Sequence, residues 1–143
     1  MHKTFLSLAL LPLVFVPPQE PRPKEHDTVL GGQMKEIEES MKTLRKLLRE
    51  PSGRDAALAA LVEIQERTLR CKQLEPEAAQ KLSGDERSAF VFAYRRSMVD
   101  FLALQLEVEA KLLDGDGQGA KETFERLRAM EDPAHERFAP EDD

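Results

Sequence analysis

A chain of 143 residues is long enough for one domain with a sizeable core and short for two. Hydrophobic residues make up 41% and charged residues 34%, the balance of a soluble domain with a well-solvated surface. The formal net charge of -6 argues against nucleic acid as a partner, because phosphate backbones recruit cations.

The first segment reads as an address rather than as part of the fold. Met1-His2-Lys3 gives a short basic start, and Thr4 to Val16 is an apolar run broken by Pro12. That run is too short for a comfortable membrane span and matches a secretory signal, so residues 1–19 are expected to direct the chain to a periplasm. The membrane is then met only through this segment. Residues 20–32 are rich in proline and charge and read as an extended linker. His26 lies in that linker, where a tethered side chain makes a poor fixed ligand. Cys71 is the single cysteine, so an internal disulfide is excluded, and its expected place is a small core position at a helix end.

Residues 33–138 carry the periodicity of four helices. In the first, from about Gln33 to Glu50, Met34, Ile37, Met41, Leu44 and Leu48 recur at steps of three and four, with Leu47 widening the stripe. Gly31-Gly32 is expected to precede it, and Pro51 with Gly53 to end it. The second runs from about Gly53 to Gln73, with Ser52 as its expected cap and Ala57, Leu61, Ile64, Thr68 and Cys71 on one face. A connection containing Pro76 leads to Ser83-Gly84-Asp85-Glu86, a capping-box pattern that opens the third helix.

The third helix runs to about Asp114. Phe90, Phe92, Val99, Leu102, Leu106 and Leu113 are its expected apolar groups, with Met98, Phe101 and Leu104 extending the surface. The glycine-rich turn after it has spaced aspartates, but the twelfth position from Asp114 is Glu125, inside the next helix, so a calcium loop is not expected. The fourth helix spans about Ala120 to Phe138, with Ala120, Phe124, Leu127, Ala134 and Phe138 as its stripe. Pro133 is expected to kink it or to start a fresh turn. Residues 139–143 form an acidic tail.

Four helices with mostly short connections predict an all-α, antiparallel up-down-up-down four-helix bundle. In that arrangement Met41, two turns into the first helix, and His135, near the end of the last, meet at one end. Leu69, Cys71, Phe90, Phe92 and Val99 are the expected lining of that end. A thioether and an imidazole facing each other across an apolar core are able to hold a haem iron between them.

Two short segments carry a family resemblance. Ser40-Met41-Lys42-Thr43-Leu44 resembles the Met-x-Thr-Leu segment of the cytochrome b562 family, and His135-Glu136-Arg137-Phe138 resembles the His-x-basic-aromatic ending of the same family. The likeness covers about Met34 to Phe138. It implies a b-type haem, one per chain, with Met41 and His135 as axial ligands and cofactor-binding residues. The haem is expected to be non-covalent, since no Cys-x-x-Cys-His sequence is present. Arg95, Arg96 and Arg137 are the candidates to pair with its propionates. With both axial positions filled, the expected role is electron transfer to a redox partner protein, by a monomer that is not an enzyme. The competing expectation is a cofactor-free exported bundle acting as a protein-binding or structural module. A carboxylate-bridged di-iron site needs Glu-x-x-His on two helices. Here Asp132 stands three residues before the one histidine of the bundle, so that chemistry is not expected.

Overall fold

The computed structural model describes residues 28–139. The expected signal segment 1–19, most of the linker and residues 140–143 of the tail lie outside them. Among the described residues all regular structure is helical, and no helix is long and apolar enough to cross a membrane.

Helix α1 spans Val29–Leu47. It begins four residues before the expected Gln33. The Thr28 hydroxyl accepts the Gly31 backbone N–H at 3.0 Å and so satisfies one of the unpaired donors of the first turn. Gly31-Gly32 is therefore inside the helix, and the linker ends at Thr28 rather than at residue 32. Ile37, Met41 and Leu44 are buried, as their spacing predicts, and Arg45 and Lys46 suit the negative end of the helix dipole.

The turn into α2, Arg54–Cys71, depends on Gly53. A Cβ at this position would stand 2.2 Å from the Leu47 carbonyl oxygen, which leaves room for glycine alone. Ser52 is exposed and is not the cap; Gly53 takes that position with no side-chain bond. Ala57, Leu61, Ile64, Thr68 and Cys71 are all buried, in agreement with the sequence pattern.

A 3-10 turn, Glu77–Lys81, packs against α3, which spans Gly84–Leu113. Ser83 stands at the N-cap of α3, but its side chain makes no capping bond. At 30 residues α3 is the longest element. It turns Tyr94, Met98, Phe101, Gln105, Val108 and Leu112 inward. Phe92, Val99, Leu106 and Leu113, expected in the core, are exposed instead.

The glycine-rich turn closes with Gly115 at φ +78, a left-handed conformation that ends a helix cheaply. Asp116 then accepts the Gly119 N–H at 2.8 Å and caps α4, Gly117–Arg128. The chain breaks at Ala129-Met130 and resumes as α5, Glu131–Phe138. Pro133 is the third residue of α5. It costs little there, because the first four N–H groups of any helix lack an internal partner. The break resolves the expected kink, with the new helix starting two residues before the proline.

Consecutive helices pack on one another: α1 on α2, α2 on α3, and α3 on α4. One apolar cluster runs through all of them, from Leu30 and Met41 to Phe124 and Phe138.

Candidate functional site

The short helix α5 is held in place by its last residue. The Phe138 ring stands edge-on to Phe90 and to Tyr94, with centroids 5.5 Å away in each case. Edge-to-face pairs of this kind add to the stabilisation from burial alone. The Tyr94 hydroxyl in turn donates to the Cys71 carbonyl oxygen at 2.9 Å, which ties the end of α2 to the same corner. Arg137 lies over the outer side of the Phe138 ring at 5.2 Å. These contacts fix α5 against α3.

Between these elements lies a cavity of about 360 Å³. Its α1 wall includes Leu30, Met34 and Ile37, and its α3 wall includes Tyr94, Met98 and Phe101. Met130, Glu131, Ala134 and His135 close the third side. The volume falls within the range of small-molecule sites, and the walls are mainly apolar, as such sites require.

His135 lines this cavity and is exposed, which puts it at the rim. Met41 does not line it. Met41 is 3% exposed and sits in the core, while the α1 wall stops at Glu38. Met34 is the α1 methionine that shares the cavity with His135. Met34 stands about a turn and a half into the helix that starts at Val29, and Met41 lies about 10 Å further along the axis.

The expected lining also changes. Leu69, Phe92 and Val99 are exposed, and Cys71 is buried behind Tyr94 without lining the cavity. Phe90 reaches the site only by bracing Phe138. Tyr94, Met98 and Phe101 take their place. Their steps of four and three continue through Gln105, Val108 and Leu112, and that run is the sequence feature that marks them. None of Arg95, Arg96 and Arg137 lines the cavity. Arg96 pairs with Asp100 at 2.9 Å, and Arg137 covers Phe138. The basic group of the wall is Lys35.

Glu131 is the unusual polar member. Its Oε1 is buried with no hydrogen-bond partner. Burial raises its pKa above the ordinary glutamate value, with Arg128 acting in the opposite direction. Among the described residues no three His, Cys, Asp or Glu side chains cluster as metal ligands. The lining carries the sulfurs of Met34, Met98 and Met130, the imidazole of His135 and the carboxyls of Glu38, Glu131 and Asp132. Met130 and His135 come from the same wall, whereas Met34 and Met98 come from others.

No protein-family model, curated protein or solved structure matches the chain.

Proposed function

We propose that the protein is an exported electron carrier of the cytochrome b562 type, an up-down-up-down bundle that holds one non-covalent b-type haem. The observation that supports this reading is the shared cavity wall. One imidazole and one thioether, from the last helix and the first, border a single mainly apolar cavity. That donor set and that surrounding fit a b-type haem. His135 is the nitrogen ligand. The cavity favours Met34 as the sulfur ligand over Met41, the residue picked out by the Met-x-Thr-Leu segment.

A haem held by His135 and Met34 would supply one-electron transfer. The chain's own residues do the rest. Tyr94, Met98 and Phe101 exclude water from one side, and Ile37 and Leu30 do so from another. His135 at the rim keeps the site close to the surface, where a partner protein can approach. Lys35 is the cation available to a propionate. Export through residues 1–19 places the carrier in a periplasm.

The test is a haemin titration of the purified protein, with absorption spectra taken oxidised and reduced. The expected result is a saturable, low-spin spectrum with sharp bands on reduction. Met34→Ala abolishes the six-coordinate spectrum, His135→Ala abolishes haem retention, and Met41→Ala lowers stability while leaving the bands in place. A protein indifferent to haemin overturns the proposal. Loss of the bands in Met41→Ala but not in Met34→Ala returns the sulfur ligand to Met41.

The second reading, a cofactor-free bundle acting as a protein-binding module, has one observation in its favour. Phe92 on α3 is 70% exposed, and Leu113 on the same helix is 58% exposed.

A further inference from the structure

On the side turned away from the cavity, α3 carries a second seam. Phe92, Val99, Leu106 and Leu113 are spaced by sevens and all are exposed. Ala89, Arg96, Ala103 and Ala110 fill the positions between them and are exposed as well. Steps of three and four therefore alternate without a break from residue 89 to residue 113. That is the repeat of a coiled-coil seam, sustained over about 36 Å of helix. The inward run from Tyr94 to Leu112 is one such seam and serves the core. The outward run has the same repeat and, among the described residues, no helix against it.

The face is wider than one helix. Gln65 on α2 donates to Glu109 on α3 at 2.7 Å. Val62 and Leu69 stand three before and four after Gln65, and both are exposed. Leu106 and Leu113 stand in the same relation to Glu109. Residues at those offsets share a helix face, so the apolar side chains of α2 flank those of α3. A contiguous exposed patch of this kind marks an interaction surface.

We infer that this face binds the same face of a second copy of the chain, α3 against α3, antiparallel about a two-fold axis. Size complementarity supports that occupant and that direction. Antiparallel packing sets Phe92 opposite Ala110 of the second copy, Val99 opposite Ala103 and Leu113 opposite Ala89. Three of the four large side chains then meet an alanine and Leu106 meets Arg96, whose stem lies along it, and the symmetry makes every contact reciprocal. Parallel packing would stack Phe92 on Phe92 and Arg96 on Arg96. Charge points the same way. Arg95 flanks the seam in the first half of α3 and Glu109 flanks it on the same side in the second half, so the antiparallel arrangement brings opposite charges together. The dimer leaves the cavity free, because Tyr94, Met98 and Phe101 face the other way. It replaces the monomer expected from the sequence.

The test is the molar mass of the purified protein in solution across a range of concentrations. A dimer is expected. Leu106→Glu points to water in the single copy, so helix content stays the same while the dimer dissociation constant rises about tenfold or more. Arg95→Glu weakens the dimer, and adding Glu109→Lys restores it. Direction is read from a spin label on Glu86→Cys, near the start of α3. The antiparallel dimer separates the two labels by about 45 Å along the axis, whereas a parallel one brings them together. A monomer at every concentration, a dimer indifferent to Leu106→Glu, or a short label distance overturns the inference.

Discussion

Phe138 and Tyr94 meet edge to face with their ring centroids 5.5 Å apart, and this pair decides where His135 stands. Phe138→Ala removes the aromatic seat and leaves α5 held only by its backbone and by Ala134. The expected cost is about 3 kcal/mol in urea unfolding, at the low end for a buried phenylalanine because the site is close to the chain's end. An unchanged unfolding midpoint would mean that α5 is anchored by something else.

Gln105 and Thr68 form a buried polar bridge between α3 and α2, amide Nε2 to hydroxyl at 2.9 Å. Both side chains are 0% exposed. The Thr68 hydroxyl is already committed to the Ile64 carbonyl, and Gln105 Oε1 has no partner. Thr68→Val strands the Gln105 amide and is expected to cost about 2 kcal/mol. Pairing it with Gln105→Leu removes both polar groups and recovers most of that loss. Additive losses in the double variant would show that the two groups act independently and that the bridge is not what links them.

Glu131 gives a pH signature whose sign is fixed by its burial. Its folded pKa lies above 4.5, the ordinary value, so the folded chain keeps a proton that the unfolded chain has released. The stabilisation is therefore complete below the ordinary value and is lost as pH rises through the folded one. Glu131→Gln removes that loss. The variant is expected to melt higher than the parent at neutral pH and to lose the slope through the mildly acidic window. Parallel stability curves for the two proteins would exclude Glu131 as the source.

Cys71 is buried among α2 core residues, and burial pushes its thiol up to about 11 despite the nearby Arg70. Almost no thiolate exists at neutral pH, and the sulfur is out of reach of reagents. Native protein is expected to resist alkylation and to react at once in denaturant. Rapid labelling under native conditions would mean that the end of α2 opens.

The sequence resolved some helices fully and others only in part, for physical reasons. Helices α1, α2 and α4 each have one apolar stripe and one charged face, so Ile37, Leu44, Leu61, Ile64, Phe124 and Leu127 were legible as core. Helix α3 has two stripes. Periodicity alone does not say which faces inward, and the phenylalanine at position 92 drew the reading to the outer one. The start of α1 was hidden, because Thr28 caps it ahead of two glycines that normally end a helix rather than lie inside its first turn. The spacing put Met41 in the core, where it is buried, but did not mark Met34 as the methionine that borders the cavity. His135 borders the same cavity from its exposed rim.

The gap at Ala129-Met130 gives the end of the domain a distinct physical character. A free-standing helix of eight residues melts in water, since so few turns cannot repay the cost of nucleation. Glu131–Phe138 therefore borrows its order from the surfaces it rests on. Whatever fills the neighbouring hollow also becomes part of its scaffolding, so occupancy is written into the structure of the segment itself. Amide hydrogens there should exchange fastest when the hollow is empty and slow sharply when it is filled.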